Sequence, residues 1–111
     1  MNTPDEVSVH ELAAAAVEGA VVVDVREPGE YASGHIPEAI LMPLATVPVR
    51  YPELPRNQPL YLVCAVGARS MQAAHFLVQL GFDARNVAGG THDWMAAGMP
   101  IDTGLPADDR E

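Results

Sequence analysis

Two short segments of the sequence are apolar on both of the faces that a β-strand presents. Residues 21–25 read VVVDV and residues 60–63 read LYLV, so Asp24 is the only charged residue in either segment. A strand with one face in water would alternate polar and apolar residues, whereas a strand covered by helices on both sides is apolar throughout. These segments therefore predict central strands of a parallel sheet, which restricts the fold to the α/β class.

Helical patterns separate the two apolar segments. Ser8 and Glu11 have the spacing of a capping box ahead of an apolar run at 12–17, which predicts a first helix. The wide apolar stripe over 70–80 predicts a deeply packed helix. Five prolines within 43–59 exclude a long helix there and predict short helical pieces. The remaining predicted elements are helices at 27–32 and 91–97 and strands at 39–42 and 85–88.

The length and composition fit a single domain. The chain has 111 residues, of which 49% are apolar, and this is enough for one packed core. We therefore predict one domain over residues 1–111 with an ordered core at about 7–101, and we expect the acidic ends at 1–6 and 102–111 to be frayed. No run reaches the ~18–20 apolar residues of a membrane span. No basic segment leads into an apolar one at the start, so a cytoplasmic location is expected.

The charge of the chain restricts its partners. Fifteen acidic residues against six arginines, with no lysine, give a net charge of -9. A surface this acidic repels phosphate backbones, so neither nucleic acid nor an anionic membrane surface is an expected partner. The single cysteine excludes a disulfide within the chain and any cluster of cysteines around a metal.

That single cysteine marks the place where chemistry is expected. Cys64 ends the second apolar segment in YLVCAVGARS (61–70), which places it at the carboxyl end of a central strand, where α/β sheets bind ligands. The amides of the next residues can turn towards the sulfur, at the N-terminal end of the following helix. Gly67 permits such a turn and Arg69 adds a cation. Together these features favour the thiolate, which is the nucleophile; a merely structural, buried cysteine is the alternative.

Three motifs resemble those of the rhodanese-like sulfurtransferases. VDVREPGEYASGHIPEA at 23–39 is similar to the family signature D-V-R-x-x-x-E-[FY]-x-x-G-H-I-P-G-A. CAVGARS at 64–70 is similar to the active-site loop C-x-x-G-x-R-S, and GGTHDWMAAGMP at 89–100 is similar to the closing G-G-x-x-x-W-x-x-x-G-x-P. The three motifs occur in the order of the family and span about residues 7–101.

The resemblance implies a five-stranded parallel sheet with helices on both faces, and an enzyme without metal or organic cofactor. It implies that Cys64 takes a sulfane sulfur from thiosulfate or a persulfide donor and holds it as a persulfide. The sulfur then passes to an acceptor such as cyanide, a small thiol or a sulfur-accepting protein. The implied substrate-binding residues are those of the loop: Ala65, Val66, Gly67, Ala68, Arg69 and Ser70. From its position alone, Ser70 is also expected to cap the following helix.

Two other functions remain open. Cysteine phosphatases and arsenate reductases are the first, since the phosphatases also hold a thiolate in an amide-lined loop. Those phosphatases resemble C-x5-R, however, whereas Cys64 and Arg69 form C-x4-R, a smaller ring that suits one sulfur atom better than a phosphoryl group. A non-catalytic regulatory or protein-interaction module is the second, and the complete loop argues against it because such modules commonly lack the cysteine.

Asp24 and Arg26 are expected to support the site without taking part in the chemistry. Asp24 ends the strand beside the one that leads to Cys64, so its carboxylate is expected to bond loop amides or an arginine. Arg26 is expected to pair with Asp24 or Glu30 as a structural ion pair. No metal-ligand spacing occurs among His10, His75, His92 and Cys64, so no metal site is predicted.

The sequence departs from the family pattern at two places. The loop side chains other than Arg69 and Ser70 are small and apolar, so one cation faces the substrate and a modest affinity for the thiosulfate dianion is expected. Glu38 stands where the family has glycine, so the turn after Pro37 is expected to differ slightly.

Overall fold

Five strands in the described part of the chain form one parallel sheet. The structure, a computed structural model, describes residues 3–107. The strand order is β1-β5-β4-β2-β3, and every neighbouring pair is parallel. The strands are β1 (Asp5–Val7), β2 (Val21–Asp24), β3 (Ile40–Leu41), β4 (Leu60–Val63) and β5 (Ala84–Val87). Because β4 lies in the middle, Cys64 lies at the centre of the carboxyl edge of the sheet.

The helices begin within two residues of the starts that the sequence pattern predicts. They are α1 (Val9–Val17), α2 (Pro28–Ser33), α3 (Val47–Arg50), α4 (Ala68–Gln79) and α5 (Gly90–Ala96). The Ser8 hydroxyl accepts a hydrogen bond from the Glu11 amide and the Glu11 carboxylate accepts one from the Ser8 amide, so the predicted capping box is confirmed. Between the prolines of 43–59, α3 is a single turn flanked by 3₁₀ turns at Leu44–Thr46 and Tyr51–Glu53, as predicted.

Both faces of the sheet are covered, and this is why β4 is apolar throughout. Leu60 and Leu62 point to one face and pack in a cluster with residues of α3 and α4. Tyr61 and Val63 point to the other face and pack in a cluster with α1, α2 and α5, including Trp94. The predicted α/β class, with a parallel sheet between two layers of helices, is therefore confirmed. Among the described residues, no helix has the length and apolarity needed to cross a bilayer.

The structure corrects the expected fraying of 1–6 and 102–111 at Asp5, Glu6 and Asp102. Asp5–Val7 forms an edge strand that pairs in parallel with β5, although two of its three residues are acidic. Main-chain hydrogen bonds hold such a strand, so its side chains carry no strand pattern. At the other end, the amides of Asp102 and His35 donate to each other's carbonyls at 2.9 Å. Residues 1–2 and 108–111 lie outside the described residues.

The turn after Pro37 contains a strained residue. Glu38 has a φ of 72°, and it is the only non-glycine residue with a positive φ in the described part of the chain. This left-handed conformation is free of strain for glycine and unfavourable for a residue with a Cβ atom. The main chain thus adopts a glycine conformation at this turn although the residue is glutamate.

Candidate active site

The loop after β4 is short and leads directly into a helix. Gly67 is the N-cap of α4 and has a φ of 113°, which only glycine adopts readily. The helix therefore begins at Ala68, two residues before the predicted start. The prediction that Ser70 caps this helix is wrong, because Ser70 already lies in the first turn and its hydroxyl points to the sulfur and to β5.

The N-terminus of α5 fixes the orientation of the first peptide groups of the loop. The carbonyls of Cys64 and Ala65 accept hydrogen bonds from the amides of Thr91 (2.9 Å) and His92 (3.0 Å). In a planar trans peptide the N–H points away from the preceding carbonyl, so the N–H of Val66 faces the opposite way from α5. The Val66 amide accordingly helps to lower the pKa of Cys64. The loop thus owes its inward-facing amides partly to a helix that is distant in sequence.

Gly90, the first residue of α5, lies against the end of β4. A Cβ atom at this position would lie 2.2 Å from the carbonyl oxygen of Cys64 and 2.7 Å from that of Ala65. Any side chain would therefore push the N-terminus of α5 away from the end of β4. The close approach that orients the loop amides requires glycine at this position.

Hydrogen-bonding groups of the loop face the sulfur of Cys64. The Gly67 amide donates to Sγ at 3.1 Å and the Ser70 Oγ lies 3.3 Å from it. Burial alone raises the pKa of the thiol, but the Ser70 hydroxyl and the amides of Ser70, Gly67 and Val66 outweigh this effect, so the pKa of Cys64 lies below its ordinary value. The loop therefore stabilises a negative charge on the sulfur.

Access to this sulfur is narrow. Cys64 is only 1% exposed, whereas its loop neighbours Val66 (64%) and Ala68 are exposed. A reagent must therefore reach a sulfur that is almost fully covered by the protein. Such narrow access admits a terminal sulfur atom more readily than a bulky group.

Arg69 is engaged in an ion pair. Its guanidinium donates to both carboxylate oxygens of Glu30 on α2, at 2.8 and 3.0 Å. The hydrogen bonds from Arg69 and from the Glu27 backbone lower the pKa of Glu30 to about 2, so the pair remains charged at neutral pH. Both side chains are little more than one-third exposed. The only cation of the loop is therefore largely compensated by a carboxylate that the sequence analysis did not include in the site.

Asp24 and Arg26 form a second, buried pair. The Asp24 carboxylate accepts hydrogen bonds from the Arg26 amide and guanidinium, the shortest at 2.8 Å. Arg26 also donates to the carbonyl of Gly34, at the end of α2. Within residues 3–107, every hydrogen bond that the Asp24 carboxylate accepts comes from Arg26. The pair thus ties β2 to α2, which carries Glu30, and does not bond the loop amides.

Asn86 is a site residue that sequence reasoning missed. It lies on β5, is 1% exposed, and its Oδ1 is 2.6 Å from the Ser70 Oγ. Its Nδ2 donates to the carbonyl of Gly67, and this hydrogen bond links the loop to β5. An asparagine in the middle of a buried strand was the available signal, because a buried carboxamide needs several hydrogen-bond partners.

The described residues contain no group of three His, Cys, Asp or Glu side chains arranged to hold a metal ion. His35, within the motif at 23–39, is buried, stacks on the ring of Tyr31 and places its Nδ1 2.7 Å from the Tyr31 carbonyl. These contacts give His35 a structural role in the turn that follows α2.

Comparison of the sequence with known proteins gives consistent matches. The family model of the rhodanese-like domain matches residues 8–97. A sulfurtransferase of Allochromatium vinosum is 39% identical over 88 residues, which cover 78% of this chain and 82% of that protein. The thiosulfate sulfurtransferase GlpE of Pseudoalteromonas translucida is 37% identical over 81 residues, which cover 72% and 77%.

Solved structures show the same fold. A rhodanese-related protein of Thermoplasma volcanium superposes with a TM-score of 0.83 at 32% identity, covering 88% of this chain and 97% of that one. A rhodanese-like domain protein of Staphylococcus aureus superposes with a TM-score of 0.81 at 35% identity, covering 89% and 97%. Each superposition covers nearly the whole of the solved structure and most of this chain.

Proposed function

The chain belongs to the rhodanese-like domain family and is a rhodanese-type sulfurtransferase, and from this premise we propose that Cys64 carries the transferred sulfur as a persulfide. The observation that carries the proposal is the set of hydrogen bonds around the sulfur, led by the Gly67 amide at 3.1 Å. They favour the thiolate, which is the attacking form of cysteine. The loop amides are also suited to stabilise the anionic outer sulfur of a persulfide.

The proposed reaction has two displacements. In the first, the Cys64 thiolate attacks the sulfane sulfur of the donor, and the bond from that sulfur to the leaving group breaks with its electron pair on the leaving group. With thiosulfate, the leaving group is sulfite and the product is a Cys64 persulfide anion. In the second, a nucleophile attacks the outer sulfur and Cys64 leaves as the thiolate, so cyanide gives thiocyanate and the enzyme is restored.

The acceptor is an external molecule. Cys64 is the only cysteine in the sequence, so a second thiol of this chain does not resolve the persulfide. We propose cyanide, a small thiol or the cysteine of a sulfur-accepting protein as acceptors. The lone thiol is suited to a reducing compartment, which supports a cytoplasmic location. We also propose that residues 1–111 act as a single domain.

The donor class follows from the charge and the access of the site. The Arg69–Glu30 pair leaves little net positive charge at the loop, and Arg26 is likewise paired with Asp24. A dianion gains little from such a site. The narrow opening favours a terminal, unhindered sulfur. We therefore propose a persulfide or another donor of low charge as the preferred donor, with thiosulfate accepted at modest affinity.

A single-turnover labelling experiment tests the role of Cys64. The protein is mixed with thiosulfate and its intact mass is measured, and we expect the gain of one sulfur atom per chain. Cys64→Ser is expected to keep the fold, because the side chain is nearly isosteric, and to show no gain. Addition of cyanide is expected to return the labelled protein to its starting mass.

The matched control for this experiment is Ser33→Ala, which removes a hydroxyl from the end of α2 whose partner is the Gly29 carbonyl. This variant is expected to label like the original protein. Labelling that persists in Cys64→Ser, or a folded original protein that gains no sulfur from thiosulfate or from a persulfide donor, contradicts the proposal.

A further inference from the structure

A chain of hydrogen bonds, buried beside the sulfur and partly buried farther out, leads from Cys64 to the edge of the sheet. Ser70 Oγ lies 3.3 Å from Cys64 Sγ and 2.6 Å from Asn86 Oδ1. Asn86 Nδ2 in turn lies 3.0 Å from a carboxylate oxygen of Glu6 on β1 and 3.2 Å from the carbonyl oxygen of Gly67. Residues from β1, β5 and α4 thus meet beside the nucleophile, although Glu6 is distant from it in sequence.

The donors and acceptors in this chain fix the orientation of the Asn86 side chain. A carbonyl oxygen and an ionised carboxylate only accept hydrogen bonds, so the atom of Asn86 that faces Gly67 and Glu6 must be the NH₂ group. Its two N–H bonds are both used there. The atom that faces Ser70 is therefore the carbonyl oxygen Oδ1, which only accepts. It follows that the Ser70 hydroxyl donates its hydrogen to Asn86.

This assignment leaves Ser70 without a hydrogen for the sulfur while it bonds Asn86. A serine hydroxyl has one hydrogen and two lone pairs, so its Oγ then presents a lone pair to Cys64 and accepts the S–H of the neutral thiol. A thiolate has no hydrogen to donate, and it repels that lone pair. When Cys64 ionises, the Ser70 hydroxyl must therefore turn from Asn86 to the sulfur.

We propose that Asn86 is a positioning residue. It accepts the Ser70 hydroxyl hydrogen while Cys64 is a thiol or a persulfide, and the hydroxyl turns to donate to the sulfur when Cys64 is a thiolate. This inference rests on the proposed function of Cys64 as the sulfur carrier. In the persulfide the inner sulfur is bonded to two atoms and the charge lies on the outer sulfur, so the hydrogen returns to Asn86. Only the partner of one hydroxyl hydrogen changes; the thiol proton itself goes to solvent.

Charged groups from the surrounding elements complete the setting. Arg69 on α4 interacts electrostatically with Cys64, but its partner Glu30 on α2 compensates it. On α5, His92 and Asp93 face each other at 3.2 Å, and on β2 Asp24 is paired with Arg26. On β1, the Glu6 carboxylate accepts a hydrogen bond from Asn86. Competition between Asn86 and the thiolate for one hydrogen is therefore a local effect, separable from these charges.

The test compares Asn86→Leu in two backgrounds. Leucine is similar in size and accepts no hydrogen bond, so it frees the Ser70 hydroxyl for the thiolate. The rate of Cys64 alkylation by iodoacetamide is measured against pH, and its midpoint gives the pKa of the thiol. We expect Asn86→Leu to lower the midpoint by about half a unit to one unit, the effect of one hydrogen bond. In the Ser70→Ala background the same substitution is expected to leave the midpoint unchanged.

The double background distinguishes the proposed switch from general loosening of the loop. A fall in the midpoint of similar size in both backgrounds, no fall in either, or a rise with Ser70 present contradicts the proposal. Asn57→Leu, the same substitution at an exposed position, is the matched control and is expected to have no effect. The alkylation measurement requires no sulfur donor, so its failure is distinct from failure of the sulfur labelling of Cys64.

A second measurement uses the unmodified protein, in case Asn86→Leu does not fold. The side-chain carboxamide signals of Asn86 are followed by nuclear magnetic resonance as the pH is raised. Because Oδ1 loses its hydrogen bond when Cys64 ionises, we expect these signals to shift with the midpoint found by alkylation. In Ser70→Ala that shift is expected to disappear. Signals that do not respond to Cys64, or that respond equally without the Ser70 hydroxyl, contradict the proposal.

Discussion

At the scale of single residues, main-chain groups determine the chemistry of Cys64 more than charged side chains do. Its sulfur faces the amides of Val66, Gly67 and Ser70, while the one cation of the loop is bound to Glu30. Amides arranged in this way stabilise an anion without adding a net charge that would attract every other anion. The site therefore combines an ionised sulfur with a nearly neutral entrance.

Glu30→Gln tests whether this neutral entrance limits the use of thiosulfate. The substitution frees Arg69 from its carboxylate partner, so we expect the KM for thiosulfate to fall by up to about fivefold, the scale of one partly exposed ion pair. The KM for a donor of low charge is expected to change little. Steady-state thiocyanate formation with both donors provides the measurement.

The control for this prediction is Glu53→Gln, which removes the same charge from the exposed pair of Arg50 and Glu53. This variant alters the net charge equally but lies in a different ion pair, so it separates the local effect from the global one. Equal effects of the two substitutions, or no effect of Glu30→Gln, would show that Arg69 is not restrained by its pairing with Glu30.

At the scale of elements, the sequence predicts the strands and the loop that carry the site, but not the side-chain contacts that join them. Local patterns identified β2, β4 and the loop at 64–70, because an apolar strand followed by a cysteine and a glycine is visible in a short window. The side chains that bond the loop residues were not predicted. Ser70 and Asn86 are 16 positions apart and Arg69 and Glu30 are 39 apart, and no local pattern joins such pairs.

The edge strand β1 was hidden for a different reason. Asp5–Val7 contributes few apolar contacts, and it is held by its main-chain pairing with β5 and by the hydrogen bond from the Ala88 amide to the Val7 carbonyl. Side-chain pattern carries no information about such bonds. The early helix start at Ala68 likewise depends on the conformation of Gly67, which the sequence permits but does not require.

Glu38→Gly tests the strain in the turn that precedes β3. The left-handed conformation of Glu38 costs about 1–2 kcal/mol for a residue with a Cβ atom, and glycine avoids this cost while it loses roughly 0.5–1 kcal/mol to unfolded-state entropy. We therefore expect a net gain in the free energy of unfolding of about 0.5–1 kcal/mol, measured by urea denaturation.

Glu38→Ala is the matched control for this turn, because it removes the carboxylate and keeps the Cβ atom. We expect it to leave the stability nearly unchanged, since the side chain of Glu38 lies at an exposed turn and the strain belongs to the main chain. A stabilisation as large in alanine as in glycine would assign the effect to the charge instead.

At the scale of the whole molecule, the net charge of -9 acts against anionic substrates. Salt screens the repulsion between this net charge and an anionic substrate, with a screening length of about 10 Å at 0.1 M. Salt also weakens the attraction of the substrate to an unpaired cation. In this protein both arginines near the loop are paired with carboxylates, so the second effect is small. The two contributions therefore largely cancel.

The salt dependence of thiosulfate turnover tests this balance. We expect kcat/KM for thiosulfate to change by less than about twofold between roughly 0.02 and 0.2 M sodium chloride, because weak repulsion and weak attraction are screened together. A steep loss of kcat/KM with added salt would mean that an unpaired cation attracts the donor. Turnover of a donor of low charge serves as the reference at each salt concentration.

The proposed sulfur transfer depends most on the ionisation of Cys64, which is measured directly by a titration of the ultraviolet absorbance of the thiolate. Because hydrogen bonds to the sulfur outweigh its burial, the pKa in the folded protein lies below the ordinary 9.0, and the thiolate absorbance must appear at lower pH than in an unfolded chain. The same titration of Cys64→Ser provides the baseline. A midpoint below that of the urea-unfolded protein is the predicted result; a midpoint equal to it or higher contradicts the account.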